Sequence, residues 1–253
     1  MGRYGKIFRY PVGMYVLIEI GLLIAIKLIE RSQHGDLAVT FMYLSIVINT
    51  VVASCIFCRY GVKKAGNRDN LIFLALQITL IADLFLTFLG GRFMIPGVIC
   101  FCAAETVYAI FLKSSRLSVI LRAILFAGLF VGAVLTRNLS VLNVLAILNI
   151  AILFMNVVDA WTSKRFDPGW LFRFGITLFF CCDISVGLSV LLNGTAGRFF
   201  SFMIWVFYIP SQVLLTLRYL FGIAQSTDNA QNASQDLTDT VECNMIGDKM
   251  RKG

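Results

Sequence analysis

Charge is scarce in this sequence, and the scarcity excludes a soluble protein. Only 14% of its 253 residues are charged, whereas 58% are hydrophobic. A soluble domain typically has about 25% charged residues, so these few could not cover a surface that faces water. A lipid-facing surface needs no such cover, and the composition therefore predicts an integral membrane protein.

Histidine and the motifs of common enzyme sites are scarce as well. The chain has one His, His34, in a predicted loop, and most of its seven Cys lie inside apolar runs. The pair Cys55-x-x-Cys58 has no second pair or His near it, so helix packing is a simpler interpretation than a metal or redox site. No phosphate-binding glycine loop and no Ser-His-Asp order is present. The sequence thus predicts neither a metal nor a cofactor.

Apolar runs near the ~20 residues that cross a bilayer recur along the chain. They predict an all-α bundle of about eight transmembrane helices, at residues 10–29, 37–58, 70–89, 94–113, 117–136, 139–161, 169–192 and 199–223. The composition turns polar after residue 224, without apolar periodicity. We therefore expect a transmembrane domain over residues 1–224 and a disordered cytoplasmic tail over residues 225–253.

The net charge of +8 indicates membrane topology and not a nucleic-acid partner, because the basic residues lie in short clusters between apolar runs. With the N-terminus inside, 17 of the 22 Lys and Arg fall on inner segments and 5 on outer ones. This asymmetry predicts that both termini are cytoplasmic. The compact size and short loops favour a bacterial inner membrane. The sequence carries no signal for an oligomeric state.

The two halves of the chain share a sparse pattern. An Ile-Thr-Leu triplet precedes Asp83 and another precedes Asp183, a Gly-Arg-Phe triplet follows each, and Tyr108 and Tyr208 come next. The corresponding positions are 98 to 106 residues apart. Because helices three and seven run in the same direction, the pattern predicts a parallel four-plus-four repeat.

Ionisable residues inside a membrane are functional candidates, since each is costly to bury there. The sequence places five in predicted spans: Glu19, Asp83, Glu105, Asp159 and Asp183. Asp159 lies near the cytoplasmic end, where an interfacial role is simplest. Asp83 and Asp183 both lie roughly 20 Å from the cytoplasmic edge, at a rise of ~1.5 Å per residue. Two carboxyl groups in one dry pocket do not readily both ionise, so such a pair supplies an acid and a base.

Other interpretations of these residues remain open. Each Asp can be satisfied separately, for example Asp83 by Thr79 one turn away. Tyr108 and Tyr208 can be packing residues. Gln212 is harder to explain by packing, because it follows Pro210, where a kink would open the helix. Helix six carries three amides that are typical of contacts between helices, Asn143, Asn149 and Asn156.

These residues resemble the motifs of the YhhN family, the multi-pass lysoplasmalogenases of bacteria and animals. Its first motif is a Gly-Asp pair, then Phe, Gly and Phe, then His-x-x-Tyr, and its second is a Ser-Asp pair followed by Tyr and Gln. The resemblance covers roughly residues 70–224. The matching residues here are Ala82-Asp83, Phe93, Gly97, Phe101 and Glu105-x-x-Tyr108, then Cys182-Asp183 and Tyr208-x-x-x-Gln212. The chain departs from the pattern at Ala82, Cys182 and Glu105.

The resemblance implies hydrolysis of the vinyl-ether bond of lysoplasmalogens, with a lysophospholipid as substrate. On this hypothesis Asp83 and Asp183 are the catalytic acid and base, and four residues orient water or the headgroup: Glu105, Tyr108, Tyr208 and Gln212. Two other functions fit the same residues. One is a proton-coupled transporter that relays protons through the carboxylates. The other is a catalytically silent lipid-binding protein, which the Glu105 departure favours.

Overall fold

The described part of the chain is a bundle of eight α-helices. The computed structural model describes residues 9–31, 35–64, 68–89, 91–135, 137, 140–163 and 166–251, and His34 lies outside these ranges. The helices are α1 (Arg9–Arg31), α2 (Gly35–Lys64), α3 (Asp69–Asp83), α4 (Met94–Phe111), α5 (Arg116–Leu135), α6 (Val141–Thr162), α7 (Trp170–Leu191) and α8 (Gly194–Arg251). The described residues contain no strand. The predicted all-α class is confirmed.

The burial pattern is that of a protein whose outer surface meets lipid. Large aliphatic side chains are exposed along the helices, whereas Glu19, Asp83 and Glu105 are buried inside the bundle. Helix α5 has one buried residue, Ser118, and is otherwise turned outward. Among the described residues, seven helices are long and apolar enough to cross a membrane, and α2 has a shorter apolar stretch, Val39–Cys55. The protein is therefore a multi-pass membrane protein.

Short polar segments turn the chain between helices. The Ser140 hydroxyl accepts the Asn143 N–H at 3.1 Å and caps the start of α6. Gly169 has a φ of 81° just before α7, and the Asp167 carboxylate accepts its N–H at 2.9 Å. This left-handed conformation favours glycine. Such tight turns make consecutive helices antiparallel neighbours.

Helix α8 is the most connected element of the bundle. It packs against α7, α2, α3 and α1, while α4 packs against α3 and α6. A Cβ at Gly175 of α7 would lie 3.0 Å from the Cγ of Leu215, so α7 and α8 approach closely there. Pro210 lies within α8, which continues beyond it.

Most helix pairs correspond under the predicted repeat. The pairs α1–α2, α2–α3 and α3–α4 match α5–α6, α6–α7 and α7–α8, and the cross-half pair α2–α8 matches α6–α4. Asn49 of α2 and Asn149 of α6 are also 100 residues apart, and both are buried. Two correspondences fail, because α1 and α3 each lie against α8 whereas the backbones of their counterparts α5 and α7 do not approach α4 as closely in the described residues. The repeat stays a prediction, which this packing supports.

Helix α8 extends far beyond its apolar part. It runs to Arg251, so residues 225–251 are helical where the sequence predicts a disordered tail. No proline interrupts this segment, so no residue in it lacks the backbone N–H that a continuing helix needs. The division of the chain at residue 224 stays a prediction.

Candidate functional site

Asp83 ends the regular part of α3, and the helix changes its geometry directly after it. Residues Leu84–Leu89 form a π-helical turn, a rare irregularity that is frequent at functional sites. A Cβ at Gly97 of α4 would lie 2.5 Å from the Cγ of Leu86 and 3.3 Å from the Ala82 carbonyl oxygen. Glycine at position 97 thus lets α4 lie against this turn. The two features fix the position of the Asp83 carboxyl group.

Tyr208 is the direct partner of Asp83. Its hydroxyl donates to the Asp83 carboxylate from α8, and both residues are 4% exposed. The rings of Phe179 and Trp205 meet the Tyr208 ring edge to face, with centroids 5.7 and 5.6 Å away. Thr79, the alternative partner of Asp83, instead donates to the Ala75 carbonyl at 2.9 Å within its own helix. Asp83 is therefore satisfied across the bundle, by a residue from the other half of the chain.

Asp183 of α7 lies near Asp83 and is partly exposed. The Asn149 amide of α6 donates to its carboxylate at 2.7 Å. Asp183 interacts electrostatically with Asp83 and with Glu105. Carboxyl groups from α3, α4 and α7 therefore face one region of the bundle.

Glu105 is fully buried on α4 and held by Asn156 of α6. The Asn156 amide donates at 2.8 Å to both the Glu105 carboxylate and the Glu105 backbone carbonyl. Asn149 and Asn156 therefore do connect helices, as their sequence positions predict, and their partners are the candidate site carboxylates. Glu105 also interacts electrostatically with Asp183, although the resemblance expects a His at this position.

Several buried polar atoms around these carboxylates have no hydrogen-bond partner. They are all side-chain atoms: the second Glu105 carboxylate oxygen, the Tyr108 hydroxyl, the Asn149 amide oxygen and the Gln212 amide nitrogen. The Tyr108 ring packs against Phe172, with centroids 5.6 Å apart, and Gln212 is one helical turn beyond Tyr208. Buried polar groups are normally satisfied. These atoms are therefore available to hold a polar ligand or water.

The sequence did not single out Arg122, although it lies within an apolar span. Its guanidinium on α5 donates to the Asp159 carboxylate at 2.9 Å and to the side-chain amide oxygen of Asn156 at 2.8 Å. Ser114 and Ser118 each donate to Asp159 at 2.6 Å. Asp159 is thus half of a largely buried ion pair near the end of α6, and its interfacial position stays a prediction. The sequence does carry a signal for Arg122, because Arg122 is the one charged residue inside the predicted fifth span.

Glu19 belongs to a different cluster. Ser45 and Asn49 of α2 donate to its two carboxylate oxygens, Asn49 at 3.0 Å, and Tyr15 donates to Asn49. This set fastens α1 to α2 and satisfies Glu19 completely. Glu19 therefore lies outside the candidate site. The described residues also contain no group of three or more His, Cys, Asp or Glu arranged to hold a metal.

A family comparison bears on this arrangement. The model of the YhhN family matches residues 38–219. The chain belongs to the YhhN family. The YhhN match spans most of α2 through the apolar part of α8, and includes Asp83, Glu105, Tyr108, Asp183, Tyr208 and Gln212. No curated protein and no solved structure matches the chain.

Proposed function

We propose that this protein is a membrane-embedded hydrolase that cleaves the vinyl-ether bond of lysoplasmalogen-type lipids by acid–base catalysis through Asp83 and Asp183. The observation that carries the proposal is the pairing of the two carboxyl groups inside the bundle. Tyr208 positions Asp83, Asn149 positions Asp183, and the two Asp interact electrostatically. Membership of the YhhN family supports it.

The chemistry needs one proton and one water. A carboxylic acid protonates the second carbon of the alkenyl group, which leaves an oxocarbenium ion at the ether carbon. The other carboxylate removes a proton from water as the water oxygen attacks that carbon. The resulting hemiacetal then gives its hydroxyl proton to the first carboxylate while the second, now protonated, gives its proton to the glycerol oxygen, so that the bond to that oxygen breaks and yields a fatty aldehyde and a glycerophospho-headgroup. The proton balance closes, and no cofactor enters it.

The buried polar atoms without partners have a role in this mechanism. Tyr108 and Gln212 carry buried donors, and Glu105 a buried acceptor, without partners. Tyr108 interacts electrostatically with Tyr208, the partner of Asp83, and Gln212 lies one helical turn beyond Tyr208. We assign to them the orientation of the attacking water and of the glycerol part of the substrate. A positioned water lowers the barrier because its attack geometry is set before the reaction begins.

Deuterium labelling tests the mechanism. Purified protein in detergent is incubated in heavy water with a 1-alkenyl lysophospholipid, and the aldehyde is reduced at once to its alcohol. Protonation at carbon predicts one deuterium at C2 of the product, whereas the saturated 1-alkyl analogue gives no product. Aldehyde without deuterium at C2 would exclude this mechanism, and an absence of aldehyde would exclude the hydrolase.

A proton-coupled transporter is the second candidate function. The observation that favours it is the polar chain Glu105–Asn156–Arg122–Asp159, which connects the interior site to one end of the bundle. A transporter predicts solute uptake that depends on a pH gradient across the membrane of proteoliposomes, without bond cleavage.

For either function we propose a cell inner-membrane location with both termini in the cytoplasm, which the distribution of Lys and Arg supports.

A further inference from the structure

The bundle has an open cleft at one of the places where the two halves differ. Helix α1 packs against α8, but the corresponding helices α5 and α4 do not pack against each other in the described residues. Between them lies a cavity of about 400 Å³ with α6 as its floor. Cavities of roughly 300–1,000 Å³ are typical of ligand sites. The cleft opens toward lipid, because Ile110 and Val119 on its walls are exposed.

The lining of the cleft is amphipathic. Ala109, Ile110, Val119 and Ile152 form apolar walls, and Lys113 and Arg122 supply positive charge. Lys113 follows the end of α4, and Arg122 lies about 9 Å inside α5 at 1.5 Å per residue. The charges thus lie toward the predicted cytoplasmic end, while Ile152 lies deeper in α6. Lipids of that leaflet have the same order, with the headgroup at the surface and the chain below it.

Lys113 has a left-handed backbone conformation, which is unusual for a residue other than glycine. The Ser114 N–H donates to the Ala109 carbonyl at 3.3 Å and the Lys113 N–H to the Ile110 carbonyl at 3.1 Å. This Schellman cap places Lys113 at a φ of 52°, where glycine is the usual residue. A lysine there is disfavoured by the backbone and has no acidic partner among the described residues. Strain of this kind is found preferentially at ligand sites.

Arg122 keeps hydrogen-bonding capacity beyond its ion pair. One guanidinium nitrogen serves Asp159, Asn156 and Ser114, while its Nε is buried without a partner. Asp159 balances the Arg122 charge, so the net positive charge of the cleft comes from Lys113. Asn156 joins Arg122 directly to Glu105. The cleft is therefore linked to the candidate catalytic site by hydrogen bonds between side chains.

We propose that this cleft binds the phosphate of the lysophospholipid substrate, with Lys113 and Arg122 as its ligands and the apolar walls along the lipid chain. The proposal rests on the proposed function for the identity of the lipid. A phosphate fits the charge, because the basic groups lack a second carboxylate in the cleft and can form charge-assisted hydrogen bonds to phosphate oxygens. The hydrogen-bonded link from Arg122 through Asn156 to Glu105 favours a substrate over a resident bilayer lipid.

Binding of uncleavable lipids tests the phosphate site without catalysis. The full chain in an uncharged detergent is titrated with 1-alkyl lysophosphocholine and with 1-alkylglycerol, which lacks the phosphate. The wild-type protein is expected to bind the phosphate lipid at least five-fold more tightly. Lys113→Gly is expected to remove most of this preference and to leave the affinity for 1-alkylglycerol unchanged.

The choice of variants separates binding from folding. Glycine suits the left-handed position, so Lys113→Gly is expected to melt at or above the wild-type temperature. Arg116→Gln removes an exposed charge at the start of α5 outside the cleft, and is expected to keep the full preference. Lys113→Arg is expected to retain it too. Equal affinities of the wild type for the two lipids, or an equal loss in Arg116→Gln, would overturn the proposal.

The outcome also separates this proposal from the proposed function. Selective, Lys113-dependent binding of the phosphate lipid without aldehyde release from the alkenyl lipid would retain the phosphate site and reject the hydrolase. Aldehyde release without phosphate selectivity would do the reverse. Inorganic phosphate is tested as a competitor in the same binding titration. If millimolar phosphate competes as strongly as the phosphate lipid does, the site belongs to the free ion and the lipid assignment is rejected.

Discussion

Tyr208 donates its hydroxyl to Asp83 across the bundle, and the two residues are 125 positions apart in the chain. The contact joins α8 to α3 at the end of the regular part of α3. It also joins the two predicted halves of the protein at one carboxyl group. The site therefore depends on the packing of the halves and cannot form within either alone.

Tyr208→Phe is expected to lower activity while the fold persists. The change removes a hydrogen bond to a carboxylate worth about 1.5–3 kcal/mol, or roughly 10- to 100-fold in rate if it acts in the transition state. Aldehyde release measures the effect. Tyr219→Phe is the matched control, because Tyr219 is an equally buried tyrosine of α8 whose hydroxyl has no partner. Equal activities in the two variants would remove Tyr208 from the site.

Asn149→Ala is expected to impair the site through Asp183. The substitution removes the amide that orients the Asp183 carboxylate at 2.7 Å, and a hydrogen bond between membrane helices contributes about 1 kcal/mol to stability. We expect a rate loss of roughly ten-fold or more and a small decrease in melting temperature. Thr79→Val removes only a contact within α3 and should remain active. A loss of activity in Thr79→Val as large as in Asn149→Ala would contradict this account.

Gly97→Ala is expected to disturb the turn that follows Asp83. The added Cβ would lie 2.5 Å from the Cγ of Leu86, and such overpacking costs about 1–3 kcal/mol. Melting temperature and aldehyde release should both fall. Leu86→Ala removes the obstructing atoms, so the double variant Gly97→Ala/Leu86→Ala should recover much of the loss. Additive losses in the double variant would show that this contact is not the cause.

Arg122→Gln is expected to destabilise the protein by about 3 kcal/mol, since it leaves Asp159 buried without its counter-charge. The two side chains are 12% and 13% exposed, so solvent screens the pair weakly. Thermal unfolding in detergent measures the effect. The double variant Arg122→Gln/Asp159→Asn should be more stable than Arg122→Gln alone. A single variant as stable as the wild type would show that the pair contributes little.

The membrane fold could be predicted because its signal is local. Runs of apolar residues near bilayer length specify helices by composition, and the structure has a helix at each of the eight predicted places. Helix ends differ by a few residues, since capping is set by single residues such as Ser140 and Gly169. The polar tail after residue 224 has no such signal, and there the predicted disorder and the helical structure differ.

The sequence predicts the level of the candidate site residues along the bundle but not the contacts between them. Sequence spacing places Asp83 and Asp183 at one level of the bundle, and the structure places them within electrostatic range. The rotation of each helix is set by tertiary packing, so spacing could not show that Tyr208 contacts Asp83 while Thr79 turns to its own helix. The π-helical turn at Leu84–Leu89 has no sequence signal of its own. Arg122 lies in the predicted fifth span, and a count of basic residues for topology gives no sign of its burial.

The catalytic pairing of Asp83 and Asp183 is the central claim, and aldehyde release from a defined lysoplasmalogen tests it most directly. The wild type is compared with Asp83→Asn, Asp183→Asn and, as a control, Asp167→Asn, which changes an exposed carboxylate. We predict that each site variant loses at least roughly 100-fold in rate and that Asp167→Asn remains active. We also predict that the double site variant is no slower than the slower single one. Folded site variants that release aldehyde at the wild-type rate would contradict the account.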